Sequence, residues 1–115
     1  MATIKSYTDL SQSETLSKIL PLESADMNWH ELPSIGFFAR AFPYKHDNGA
    51  TEGILPCWSL ASLLGVLPDY TLQTNTDGTV FVVCESKKPM ISDAYGNPVD
   101  ACYELILKLN ELNLL

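Results

Sequence analysis

Basic residues are few in this chain: 7 Lys and Arg stand against 14 Asp and Glu, a formal net charge of −7. The longest basic cluster is Lys87-Lys88. Binding a phosphate backbone takes focused positive charge, so nucleic acid is not an expected partner. The same acidity opposes an anionic membrane surface. Long apolar runs are missing as well. Nothing approaches the roughly 20 residues that cross a bilayer, so no membrane is expected. The N-terminal residues lack the basic-then-apolar order of a secretory signal, which makes the cytoplasm the expected location.

Cysteine is scarce and its spacing is uninformative for pairing. Cys57, Cys84 and Cys102 are odd in number, far apart, and form no CxxC. A disulfide framework is not expected. Each lies in an apolar context that suits a reduced thiol in or near a core. Histidine is limited to His30 and His46. These two, with Glu31, Asp47 and Glu52, match no HExxH or paired-cysteine spacing, so no metal is expected. Neither Gly36 nor Gly65 belongs to a GxGxxG or GxxxxGK[ST] cradle, and no cofactor is expected.

What is present is enough for one core. Hydrophobic residues make up 46% of 115, and residues 8–115 read as one small domain behind a short N-terminal tail, 1–7. The strongest element signal is Asn97 to Leu112. Asn97 can cap a helix, and Pro98 suits its first position because it has no N–H to leave unpaired. Asp100 meets the positive helix end. Val99, Cys102, Tyr103, Ile106, Leu109 and Leu112 recur at helical spacing as the inward face. Glu104 and Lys108 can pair on the other side.

Earlier in the chain, Ser11 and Glu14 match a capping box for a helix running to Leu20, which Pro21 stops. Met27 and Trp29 alternate with polar residues as a strand. Pro33-Ser34 reads as a turn, and Ile35 to Phe42 as the returning strand, with Gly36 marking a bulge or close approach. Lys45 to Gly53 reads as a polar loop. A second helix spans Trp58 to Leu67. The run Tyr70–Thr74, the Asp77-Gly78 turn and Thr79–Cys84 form a second hairpin, with Met90-Ile91-Ser92 as a short edge strand. Short links imply antiparallel pairing. The expected fold class is α+β: two-layer, an antiparallel sheet of about four to five strands, helices packed mainly on one face. Leu16 to Pro21 also echoes Leu63 to Pro68. Either a duplication or repeated use of the same helix stop accounts for this.

The segments Leu20 to Met27, Pro56-Cys57-Trp58-Ser59-Leu60, Leu67-Pro68 and Asn97-Pro98-Val99-Asp100-Ala101-Cys102 together resemble a small uncharacterised protein family of gut Bacteroides-type bacteria and their phages or mobile elements. The resemblance runs from about Leu20 to Leu112. It implies a one-domain protein in a mobile-element context and brings no mechanism.

Two kinds of function remain. A cysteine-dependent hydrolase would use Cys57, read here at the start of the second helix, with His30 or His46 as its base. A carboxylate-dependent one would pair two of Asp26, Asp69, Asp77, Glu85 and Asp93. Neither comes with a recognisable constellation. The aromatic residues point instead to a binding surface. Phe37 and Phe38 are adjacent, so on a strand they face opposite sides. With Trp29 and Trp58 they are the candidate interaction residues. The expected function is a small non-catalytic protein-interaction or regulatory module, with a protein partner or a second copy of itself; the hydrolase is the alternative.

Overall fold

The computed structural model describes residues 5–32, 36–41, 55–85 and 89–115, with backbone alone at 31–32, 37–38 and 40–41. The Pro33-Ser34 turn and the Lys45 to Gly53 loop, with His46, Asp47 and Glu52, lie outside the described residues.

Helix α1 (Leu10–Ser17) and a 3-10 turn (Leu22–Ser24) lead into β1 (Met27–Leu32) and β2 (Gly36–Ala41). Strand β3 (Leu55–Cys57) precedes α2 (Leu60–Val66); then come β4 (Tyr70–Thr74), β5 (Val80–Cys84), β6 (Met90–Ile91) and α3 (Pro98–Glu111). Among the described residues every strand pairing is antiparallel, and the chain has the expected α+β architecture of antiparallel strands and packed helices. The strands divide between two three-stranded sheets, β2-β1-β3 and β4-β5-β6, where one sheet was expected. The cause is β3, a short strand the sequence did not announce. It fills the second edge of β1, Met27 opposite Cys57 and Trp29 opposite Leu55. Helix α2 follows at once, so the next hairpin begins a new sheet.

The capping box of α1 lies two residues earlier than expected. Asp9 accepts from the Gln12 backbone N–H at 2.8 Å, and Gln12 Oε1 accepts from the Asp9 N–H at 3.2 Å. Asp and Gln satisfy the same reciprocal geometry as Ser and Glu. Ser13 and Leu16 are the buried residues of the helix, which closes at Ser17 with Lys18 as its cap and so ends before the expected Leu20-Pro21 stop. Residues 5–7, expected in a tail, are bonded to the body: Leu60 N–H donates to the Ser6 carbonyl, Tyr7 bridges Ser59, and Lys5 pairs with Asp100.

Helix α3 starts as expected. Asn97 Oδ1 accepts from the Asp100 N–H at 2.9 Å, and Pro98 opens the helix. Its inward face is rotated from the expected one. Val99, Ala101, Cys102, Leu105, Ile106 and Leu109 are buried, Tyr103 is half-buried, and Leu112 is 46% exposed. The reason is a second neighbour: α3 packs against α2 as well as β5, so Ala101 and Leu105 are covered too. No Glu104–Lys108 pair is among the ion pairs of the described residues. The helix ends with Asn113 at φ 55°. The Leu114 N–H reaches the Leu109 carbonyl and the Asn113 N–H the Asn110 carbonyl, a Schellman closure.

The core joins Leu16 and Leu20, Trp58, Leu63, Leu67, Val82 and Cys84 to the buried face of α3. Trp58 is its largest fully buried side chain. Among the described residues no helix is long and apolar enough to cross a membrane.

Candidate functional site

Cys57 closes β3 and does not open α2. The cap of α2 is Ser59, whose Oγ accepts from the Ser62 N–H at 3.2 Å. Ser59 in turn donates its hydroxyl to Asp26 Oδ2, and its N–H to Asp26 Oδ1 at 2.9 Å. The Cys57 thiol is fully buried. Its Sγ donates to the Thr8 carbonyl at 3.5 Å and accepts from Thr8 Oγ1 at 3.7 Å. Thr8 Oγ1 lies 2.7 Å from Ser13 Oγ, which accepts from Trp29 Nε1 at 3.1 Å. With the Thr8 proton directed at sulfur, Ser13 is the donor of that pair. The protons then run one way, from the Trp29 indole through Ser13 and Thr8 to Cys57. Burial pushes the Cys57 thiol above its ordinary value; the hydroxyls of the Thr8–Ser13 cluster act against this and are outweighed. This geometry holds a neutral thiol in a packed polar seam.

Of the carboxylates considered for acid–base work, Asp26 and Asp77 are engaged by neighbouring hydroxyls and amides, and Asp69 and Glu85 stand opposite each other at the end of the second hairpin. Asp26 serves Ser59, and Asp77 accepts from the Thr79 N–H and hydroxyl in the hairpin turn. The Asp69 backbone carbonyl accepts from Glu85 N–H. Asp93 is exposed. Among the described residues no group of three or more His, Cys, Asp or Glu is placed to hold a metal ion.

The four candidate interaction residues do not form one surface. Trp58 is in the core, its Nε1 donating to Ser24 Oγ at 2.9 Å. Phe37 and Phe38 lie on β2, an edge strand, opposite Glu31 and His30; their side chains lie outside what is described. His30 is buried on β1. Trp29 is half-buried and meets Tyr7 edge-to-face, ring centroids 5.7 Å apart. Together with Lys5, Ser6 and Asp9 these rings line an open recess of about 360 Å³.

The more exposed surface is β4, which the sequence reading placed but did not single out. Every one of its five residues is exposed, Tyr70 by 42% and Leu72 by 36%. Tyr70 lies opposite Cys84, Leu72 opposite Val82 and Thr74 opposite Val80. Those three β5 residues are buried, and Val82 and Cys84 pack in the core with α3. Tyr70 and Leu72 thus stand on the helix-covered side of the sheet, beyond the reach of the helix. Asn75 N–H donates to the Thr79 carbonyl and Glu85 N–H to the Asp69 carbonyl. Antiparallel pairs alternate between bonded and non-bonded. Residues 69, 71, 73 and 75 therefore turn their backbone groups toward β5, and Tyr70, Leu72 and Thr74 turn theirs outward. The other edge of this sheet, β6, is only two residues long. The signal available in the sequence was the composition of Tyr70-Thr71-Leu72-Gln73-Thr74, which has none of the charge or proline that usually guards an edge.

Comparison of this chain with protein-family models, with curated proteins and with solved structures finds no match.

Proposed function

We propose that the protein is a small non-catalytic interaction or regulatory module of the cytoplasm, and that the β4 edge is its binding surface. The observation that carries this reading is the coincidence on one strand of outward-facing backbone groups and exposed apolar side chains. Unpaired edge N–H and C=O groups are a template for another strand, and alternate side chains supply the selectivity. Tyr70 and Leu72 offer that second element on the side where α3 provides a wall. The buried, neutral Cys57 thiol lends no support to the hydrolase alternative. A mobile-element origin joins the proposal through the resemblance carried by Pro56 to Leu60 and Asn97 to Cys102.

The test is Leu72→Lys, a change at an exposed position that keeps the hairpin and charges its edge. We expect association of the wild-type chain, with itself or with a partner from its host, to fall by roughly tenfold or more in this variant while the unfolding midpoint stays put. A wild-type chain that binds neither itself nor any specific macromolecule overturns the reading, and so does a variant that binds as the wild type does.

A further inference from the structure

We infer that the occupant of the β4 edge is a second copy of this chain, paired strand to strand about a twofold axis at Leu72. The inference rests on the reading of β4 as a binding surface and names the partner. In that arrangement Leu72 faces its own copy, and Tyr70 faces Thr74 of the other chain. All three residues have outward backbone groups, so each facing pair exchanges both N–H···O=C bonds. The axis stands perpendicular to the sheet, so both copies of α3 lie on the same side. Tyr70 and Leu72, uncovered in one chain, are then enclosed between the two helices. The two sheets merge into one, with a β6 strand at each end.

A like-charge contact disfavours one neighbouring register and a proline the other. The strand itself is uncharged. Centred on Leu72, the pairing brings Asp69 beside Asn75 of the other copy, a carboxylate against an amide. Sliding the strands one way by one pleat sets Asp69 against Asp77 of the other copy, a like-charge contact that opposes pairing. Sliding them the other way sets Thr74 against Pro68, which has no N–H to return. A chain with a net charge of −7 repels its copy in general; in this register of β4 no acid directly faces an acid, the nearest such pair being the diagonal Asp69 and Asp77 at roughly 7–8 Å. An isologous contact of this kind closes on itself and does not propagate into fibres.

Sedimentation of the full chain across a concentration series, together with cysteine cross-linking, tests the proposal. We expect a monomer–dimer equilibrium that Leu72→Lys shifts toward monomer by roughly tenfold or more, since it sets two ammonium groups at the axis. Under mild oxidation Leu72→Cys should give a covalent dimer, because facing residues of a bonded pair have Cα atoms about 5.5 Å apart. Gln73→Cys should not. It faces Thr71, and its own copy lies diagonally at roughly 7–8 Å, beyond disulfide reach. The native thiols are buried and supply an internal control. A chain that stays monomeric at millimolar concentration overturns the inference, as does a dimer that Leu72→Lys leaves intact or that cross-links through Gln73→Cys. If the monomer instead captures a foreign protein through β4, and Leu72→Lys abolishes that capture, only the second-copy inference falls. A monomer with no β4-dependent partner removes both.

Discussion

Asp100 shows how one side chain ties distant parts of this chain together. It sits in the first turn of α3, where it accepts from Lys5 Nζ at 2.7 Å, Gln12 Nε2 at 2.8 Å and Asn97 Nδ2 at 2.8 Å. Burial alone would raise its pKa; the hydrogen bonds from Lys5, Gln12 and Asn97 outweigh it and hold the carboxyl below its ordinary 3.8. Lys5 is affected in the complementary sense. Burial would lower it, and hydrogen bonds to Asp100 and Asp9 carry it above its ordinary 10.5. A depressed carboxyl stabilises the fold above its unfolded pKa and loses that contribution as pH falls through the folded one; a raised ammonium does so below its unfolded pKa and loses it as pH rises through the folded one. Stability from this cluster is therefore flat between about 4 and about 10 and declines on both sides. Asp100→Asn should flatten the acid limb in urea titrations run across pH. An acid limb identical to wild type would show that Asp100 does not contribute to it. At other positions the backbone conformation itself calls for glycine. Gly36 and Gly78 have φ of 89° and 88°. Among the described residues a Cβ at Gly36 would meet nothing within 4 Å and the β1–β2 register has no bulge, so of the bulge or close approach the sequence suggested neither is seen, and the glycine serves a positive-φ backbone.

The helices are the place to judge what the sequence revealed. Leu105→Ala should cost about 2–5 kcal/mol, because a fully buried side chain leaves a cavity against α2 and β5. Leu112→Ala should stay within about 0.5 kcal/mol, since Leu112 lies half in solvent. Reversible denaturation of the two variants distinguishes this face from the one the periodicity predicts; a large loss at Leu112 and a small one at Leu105 would restore the latter. Caps, prolines and Asp-Gly turns are local chemistry, and they located Asn97, Pro98, Gly78 and the second hairpin closely. Which arc of α3 is buried depends on how many neighbours it has, and a periodicity that took in Leu112 and passed over Leu105 could not count them. Strand β3 escaped notice because three residues containing a proline carry no period of their own. Its absence from the sequence reading moved Cys57 onto a helix, where a thiol has a field to lower its pKa, whereas the strand buries it beside Thr8. The β4 edge was legible as a strand but not as a surface. Its exposure follows from where α3 stops covering the sheet, which is a property of packing.

At the scale of the molecule, the two halves that echo each other in sequence are wired differently. The central strand is the first of its sheet in β2-β1-β3 and the second in β4-β5-β6. The repeated Leu-Pro follows two helices, directly after α2 but three residues past Ser17 in α1, without producing two equivalent units. The wiring also fixes which edges are left over. In the second sheet the chain from Ser92 to Tyr95 returns along β5: Ser92 N–H bonds the Val82 carbonyl, and Val80 and Tyr95 exchange both backbone bonds. Among the described residues strand β5 is thus held on both sides and β4 on one. Amide hydrogen exchange should read this directly, because protection follows the cost of opening each bond. In dilute protein the Thr71 and Gln73 amides should exchange slowly and those of Tyr70, Leu72 and Thr74 quickly, an alternation along a single strand. Raising the protein concentration should slow Tyr70, Leu72 and Thr74 together, since one axis pairs all three at once, and leave the β5 amides unchanged. Uniform protection along β4 in dilute protein would contradict the register from Asp69 to Asn75. Concentration-dependent slowing at only one of the three would mean that the strands meet in a different register.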